Sequence, residues 1–265
     1  VEIPTTRDSG ILNYVTLTNG FFLNAQADRH KSQDGFEKLY LGSRKIENRI
    51  YTDDQVRKLP WVAPSHEHAS EWEIRKRSSE RLIRYLKNKN KPLQILEVGC
   101  GNGWLSHRIS CIRQSHVTGL DVNRFELKQA RRVFSENTNL SFAEGDIHSL
   151  SAERAFDVIV FAASIQYFFS LDQVMDDAFS ILKKEGEIHI LDSFFYNAHE
   201  IEKARYRSHV YYKSIGFEEM SKFYFHHSIL ALKHFHFTYL YNPARITNFL
   251  FGNRHPFAWI RIRKP

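Results

Sequence analysis

Hydrophobic and polar positions alternate along the middle of the chain in blocks that predict strands and helices in turn. Residues 95–98 form an apolar run broken only by Glu97, residues 116–120 and 140–143 read as two further short strands, and residues 156–162 are apolar throughout except for Asp157. The last run is uninterrupted enough to predict a strand buried on both faces. Between the runs, Trp104, Leu105, Ile109 and Ile112 recur at helical spacing, and so do Leu127, Ala130 and Phe134. The clearest stripe is Leu171, Val174, Met175, Ala178, Ile181 and Leu182, which predicts a helix closed by Lys183, Lys184 and Gly186, with a fifth strand at 188–191.

Alternating strands and helices require right-handed crossovers and a parallel sheet covered on both faces. The predicted fold class is α/β, a Rossmann-like doubly wound sheet. Farther along, residues 198–212 read as helix, and residues 216–227 are aromatic and histidine-bearing without a clear period. Two late alternating segments, 235–241 and 257–262, predict an antiparallel pair at the sheet edge. The sheet then has seven strands, mostly parallel.

The start of the chain is patterned differently. Ile11, Leu12, Tyr14, Val15 and Leu17, then Asn19 and Gly20, then Phe21, Phe22 and Leu23 predict a hairpin. Residues 24–50 are polar, a loop with a short helix near 36–41, and Thr52 to Gln55 opens a second short helix ended by Pro60. From Ser70 a long amphipathic helix places Trp72, Ile74, Leu82, Ile83, Tyr85 and Leu86 among Arg75, Arg77, Glu80, Arg81 and Arg84, and that charge reads as a solvated face. The pattern divides the chain into an N-terminal extension, 1–69, and a main domain, 70–265.

Composition narrows the class of protein more than its chemistry. An apolar fraction of 42% with 25% charged residues is ordinary globular usage, which excludes a fibrous or wholly disordered chain. No apolar run is long enough to cross a membrane, and the first ten residues, with Glu2, Arg7 and Asp8, do not read as a secretory signal. Two cysteines, Cys100 and Cys111, suit a reducing compartment, and the expected location is cytoplasmic. A net charge of +7 would suit nucleic acid, an anionic surface or a phosphorylated ligand. The basic residues are scattered, however, so a solvated basic surface is the plainer reading and nucleic acid is not an expected partner. Twelve Tyr and 21 Phe are enough to wall a pocket as well as fill a core.

Candidate chemistry concentrates where the first strand turns into its helix. Gly99, Gly101 and Gly103 there imply backbone brought against a ligand that a Cβ would exclude. Open α/β sheets bind ligand at the carboxyl ends of their strands, and those ends carry Glu97, Asp121, Asp146 and residues 161–167. Asp121 is placed for the two hydroxyls of a ribose. The GxGxG spacing, followed by Trp104, departs from the GxGxxG of dinucleotide enzymes.

Glu97 to Gly103, Asp121, Gly145 with Asp146, and residues 156–167 together resemble the class I S-adenosylmethionine-dependent methyltransferases of the small-molecule type. The extension, with Tyr51, Trp61, Trp72 and Arg75, is similar to that of bacterial methyltransferases of unassigned substrate. The resemblance implies S-adenosyl-L-methionine as cofactor and S-adenosyl-L-homocysteine as product. It implies that Gly99, Cys100, Gly101, Asn102, Gly103 and Trp104 form the loop around the cofactor, that Glu97 holds its charged amino acid end, that Asp121 takes the ribose and that Asp146 takes the adenine amino group. Val122 and Ile147 would sandwich the adenine or simply fill the core. Phe161 and Ala162 would line the methionine end, with Gln166 and Tyr167 near the methyl. Cys100 reads as a small filler, since no histidine adjoins it in the sequence.

The implied reaction is in-line displacement of the sulfonium methyl by an acceptor atom. Where the acceptor carries a proton, the candidate groups are Tyr167, Tyr224, His226 and His227, the last three within a segment, 196–234, expected to cap the acceptor pocket. No metal is expected: His226, His227, His234 and His236 have no Cys or carboxylate at ligand spacing, and Ala162, Ala163 and Ser164 stand where metal-dependent members carry acids. The stretch from Phe161 to Tyr167 also lacks the Pro-Pro-aromatic run of enzymes that methylate adenine or glutamine amides. The expected acceptor is a small molecule, lipid-like or sugar-like, anionic or aromatic. The alternatives are methyl transfer to RNA or protein, and a non-catalytic binding module. The extension is expected to act as a lid or as a packing element.

Overall fold

The computed structural model describes residues 35–150, 155–245 and 255–264. The hairpin expected at 11–23 lies outside them. One compact unit begins at Phe36 and includes the sheet, so residues 36–69 belong to the same unit as the main domain.

Seven strands form one sheet in the order β3-β2-β1-β4-β5-β9-β8, with β1 Leu93–Val98, β2 Ser115–Asp121, β3 Leu140–Glu144, β4 Phe156–Ala162, β5 Leu182–Leu191, β8 Phe237–Tyr241 and β9 Trp259–Arg263. The first five run parallel. β9 is reversed, and it sits between β5 and β8. A small separate pair joins β6 Phe195–Tyr196 to β7 His227–Ser228. The helices are α1 over residues 35–46, α2 Asp53–Lys58, α3 Ala69–Lys87, α4 Trp104–Ser110, α5 Arg124–Val133, α6 Leu171–Ile181 and α7 Ala198–Ser214. Among the described residues, no helix is long and apolar enough to cross a membrane.

Alternation along the strands splits the core into two layers. On β1 and β4, Leu93, Ile95, Val158 and Val160 face Trp72, Leu82, Leu86 and Ile109, whereas Leu96, Val98, Ile159 and Phe161 face Val174, Met175 and Ala178 of α6. Both faces of the sheet are covered, which is why β4 reads as a continuous apolar run. The segments before the sheet join the first layer through aromatic contacts. The Trp72 indole N–H donates to the Tyr51 hydroxyl at 2.9 Å, and the Trp72 ring meets Trp104 edge-on at 5.4 Å.

One boundary differs from the sequence expectation. The α6 stripe stops at Ile181, because Leu182 is already extended and pairs with Phe156 as the first residue of β5. Lys183, Lys184 and Gly186 lie in an irregular stretch where the register jumps, and they do not cap a helix. A Cβ on Gly186 would stand 2.6 Å from the Leu182 side chain, so the glycine serves the bulge.

Phe161 also behaves differently from expectation. Its ring is wholly buried in the second layer, edge-on to Phe168 at 5.8 Å. Truncating such a ring removes its burial and leaves a cavity. Phe161→Ala should lower unfolding stability by about 3–5 kcal/mol, read as a reduced urea midpoint at unchanged slope.

Candidate functional site

The site begins with the way the glycine loop is tied down. Leaving β1, Gly99 and Cys100 both donate their N–H to the Leu120 carbonyl, at 2.8 and 3.1 Å. Asp121, the next residue of β2, accepts from Gly101 N at 2.7 Å through one oxygen and from Asn123 N at 2.8 Å through the other. From β4, the Ser164 hydroxyl donates to the Val98 carbonyl at 2.6 Å. The three loop glycines all have positive φ. A Cβ at Gly99 would lie 2.5 Å from Ser164 and one at Gly103 would lie 2.6 Å from the Phe142 ring, so these two glycines serve packing within the chain. Gly101 has the most room, with the Glu126 carboxylate 3.1 Å from where its Cβ would stand.

A cavity lies over this loop, walled on the sheet side by Glu97, Gly99, Cys100, Gly101, Asn102, Trp104 and Ala162. Its other wall is Arg44 of α1, Arg49 from the connection between α1 and α2, and Glu71, Trp72 and Arg75 of α3, with Tyr40 beside them. Burial pushes the Glu97 carboxyl up to about 8, aided by the charge of Asp121 and opposed by a hydrogen bond from Ser106. Glu126 is pushed up to about 7, by burial first and then by Asp121, against the pull of Arg44. Burial raises Asp121 too, although the backbone N–H groups of Asn123 and Gly101 resist it. On the facing wall the balance reverses. Against the cost of burial, Arg75 and Arg49 hold Glu71 down to about 2.

A second cavity of about 390 Å³ adjoins the first and shares Tyr40, Arg44, Arg49, Glu71, Arg75 and Ala163 with it. Its own walls are chiefly aromatic: Tyr167, Tyr211, Tyr212, Tyr224, Phe194 and Phe257, with Gln166, Asp192, Ser193, Arg207 and Ser208. The Tyr167 ring is held by edge contacts with Phe36, Tyr40 and Tyr224 at 5.7–5.8 Å. Burial drives the phenols of Tyr40, Tyr167, Tyr212 and Tyr224 upward, so each is a neutral hydroxyl at physiological pH. Asp192, at the end of β5, accepts from Ser78 at 2.8 Å through Oδ2, while its buried Oδ1 has no hydrogen-bond partner and lies 3.6 Å from His255. Burial raises its carboxyl, with Arg75 and Ser78 opposing.

The structure therefore brings Glu97, Gly99, Cys100, Gly101, Asn102, Trp104 and Ala162 around one cavity, and Gln166 and Tyr167 around the next. Phe161 lies behind them in the core, and Gly103 faces Phe142. Asp121 joins the loop through Gly101. Asp146 caps the turn Ile147–Ser149, Ile147 is core at 1% exposure, and Val122 is half-buried. Neither histidine expected in catalysis lines either of these two cavities. His227 turns Nε2 to the Ile165 carbonyl at 3.1 Å, and His226 meets the second cavity's lining through Ser208, 2.9 Å from its Nε2, and through the Tyr224 ring at 5.3 Å. Burial, with nearby Arg205, lowers His226 to about 4. Sequence reasoning passed over Tyr40, Arg44, Arg49, Glu71, Glu126 and Asp192. The best available signal was the Glu71 and Arg75 pair flanking the apolar Trp72, which marks a charged pair on the buried shoulder of α3.

Comparison with known proteins agrees with this geometry. A family described as a methyltransferase domain matches residues 89–231, more than half of the chain. A malonyl-[acyl-carrier protein] O-methyltransferase of Priestia megaterium is 30% identical over 120 residues, covering 44% of this chain and 43% of that protein. The chain spans about half the length of the curated relatives it matches. Among solved structures, the PH0226 protein of Pyrococcus horikoshii OT3 superposes with a TM-score of 0.52 at 19% identity, covering 81% of this chain and 100% of that one. Geranyl diphosphate C-methyltransferase of Streptomyces coelicolor A3(2), in complex with S-adenosyl-L-homocysteine, gives 0.50 at 13% identity, covering 76% and 81%. These two likenesses concern the fold. With its glycine loop, strand-end acids and sheet order, the chain belongs to the methyltransferase domain family, as a class I S-adenosylmethionine-dependent member.

Proposed function

We propose that the chain transfers the methyl group of S-adenosylmethionine to a small or lipid-like acceptor held in the tyrosine-walled cavity. The observation that carries this reading is the shared wall between a charged cavity over the glycine loop and a larger aromatic one, which sets donor and acceptor side by side. The relative named for malonyl-[acyl-carrier protein] and the fold neighbour named for geranyl diphosphate support an acceptor of that general kind.

The residues present fit the cofactor. Glu97 is a buried carboxyl whose proton an incoming ammonium would displace, and each oxygen of the Asp121 carboxylate accepts one backbone N–H and keeps a lone pair for a hydroxyl. When bound, the cofactor supplies an electrophilic methyl on a positively charged sulfur. The chain's own task is then alignment and exclusion of water, worth about 7–11 kcal/mol of barrier in well-oriented systems. Tyr167 stays protonated, so it is not available as a base, and its neutral hydroxyl can donate a hydrogen bond to the acceptor. Asp192, which lines the aromatic cavity and whose carboxyl burial raises, is better placed to take an acceptor's proton than His226 or His227, which stand outside the lining.

Calorimetry with S-adenosylhomocysteine tests the assignment. Wild type should bind, and Asp121→Ala should bind roughly ten- to a hundredfold more weakly through loss of charge-assisted hydrogen bonds. Failure of the wild type to bind removes the cofactor assignment, and equal binding by both proteins removes the ribose role of Asp121. A second prediction follows from Glu97. Its carboxyl is protonated below about pH 8 in the free protein, and the ammonium of the ligand favours the ionised form. Binding therefore releases a proton, and affinity should rise by up to about tenfold per pH unit between pH 6 and pH 8. Glu97→Gln should weaken binding and leave only the shallower contribution of Glu126 below pH 7.

A further inference from the structure

The tyrosine-walled cavity, at about 390 Å³, is large enough for a small ligand, and its charges are unevenly placed. Where it adjoins the glycine-loop cavity, every guanidinium has a carboxylate partner: Arg44 and Arg49 have Glu47, and Arg49 and Arg75 have Glu71. The α7 side differs. Arg207 and Ser208 line the tyrosine-walled cavity and not the one over the glycine loop, and among the described residues no carboxylate lies within 4 Å of Arg207. Other cations of the same helix are matched, Arg205 by Glu202 at 2.7 Å and Lys213 by Glu218 at 3.8 Å.

The hydroxyl beside Arg207 is oriented from behind. Burial, then Arg205, His227 and Arg207, keeps His226 neutral, so its ring carries a single N–H. Nδ1 is buried without a hydrogen-bond partner, and Nε2 lies 2.9 Å from Ser208 Oγ. An orphaned buried N–H is the rarer and costlier case, so the proton sits on Nε2 and donates to Ser208. The Ser208 O–H is then left to donate into the cavity. Tyr224, whose ring is 5.3 Å from His226 and 6.1 Å from Tyr212, extends the donor set, because burial keeps both phenols protonated.

We propose that Arg207 and Ser208, with the Tyr212 and Tyr224 hydroxyls, form an oxyanion subsite, and that the acceptor is an amphipathic anion bearing a carboxylate or a phosphate. This rests on the reading of the tyrosine-walled cavity as the acceptor site. A guanidinium beside hydroxyl donors matches an anion with several oxygens, and the aromatic walls suit an apolar body. The acids of this cavity leave the place open: Glu47 and Glu71 are held by the near arginines, and Asp192 accepts from Ser78. Since Arg207 and Ser208 stand away from the glycine loop, the anion is a handle that orients the acceptor, and a different atom takes the methyl. His226 thereby gains a positioning role through Ser208 and needs no part in proton transfer.

Calorimetry on the protein saturated with S-adenosylhomocysteine tests this with three probes of one chain length: decanoate, decyl phosphate and neutral decanol. Decanoate or decyl phosphate should bind at least about tenfold more tightly than decanol, and whichever anion binds better identifies the head group. Arg207→Gln should weaken that anion roughly ten- to a hundredfold and leave decanol unchanged, as for one charge-assisted contact. Arg207→Lys keeps the charge without the planar fork and should fall between, and Ser208→Ala should cost about two- to tenfold. Anion binding at wild-type strength by Arg207→Gln, or decanol bound as tightly as both anions, would overturn the subsite and leave the acceptor reading in place. Binding of S-adenosylhomocysteine but of none of the three probes removes the lipid-like acceptor reading and this inference with it.

Discussion

The Asp121 carboxylate is the fixed point on which the site depends. Through one oxygen it holds Gly101 of the glycine loop, and through the other it holds Asn123, which in turn caps α5 by accepting from Glu126 N at 3.1 Å. A single side chain at the end of β2 therefore sets the loop after β1 and the start of the next crossover helix. It also raises the cost of ionising Glu97 and Glu126, because a third carboxylate sits close to both. The free protein thus keeps Glu97 mostly protonated and Glu126 near its midpoint at neutral pH, around one acid that is tied to backbone donors. Such a site is poised to exchange protons for a positively charged ligand.

The opposite wall follows the reverse logic. Guanidiniums from α1, from the turn after it and from α3 keep their charge at any physiological pH, and they force Glu71 to remain ionised. Across the cavity, Arg44 pulls against the burial that raises Glu126. The segments before the sheet belong to the same compact unit and are anchored by Tyr51, Trp72 and Trp104. The aromatic cluster fixes the distance across which the charges face one another.

Much of the sheet could be read in advance because its burial is written into local pattern. β4 is apolar on both faces, and its ends fall where the apolar run ends. Asp121 is legible for the same reason, since it follows directly on such a run. Lys183, Lys184 and Gly186 misled because they imitate a helix terminus, whereas pairing with β4 at Phe156 takes Leu182 into the sheet first. The loop glycines were read as clearance for a ligand, yet Ser164 and Phe142 account for two of them. Arg75 was read as part of a solvated face. Only the fold shows that its neighbour Trp72 is buried and that Arg49, 26 positions earlier in the sequence, meets the same Glu71. Contacts of that span leave no local period to detect.

The histidines illustrate the same limit in the chemistry. His226 and His227 lie in an aromatic segment that does border the acceptor cavity, but through Tyr224 rather than through their own rings. His227 is spent on a carbonyl of the turn after β4, and His226 is desolvated among Tyr196 and Tyr224. Burial disfavours the imidazolium, so His226 could hold a transferred proton only weakly. For a buried carboxyl the same burial acts in the opposite direction. It makes Asp192 a stronger proton acceptor than an exposed aspartate, and Ser78 holds its second oxygen in place. Burial thus weakens the imidazole and strengthens the carboxylate as a base, and of the two groups only the carboxylate lies in the cavity wall.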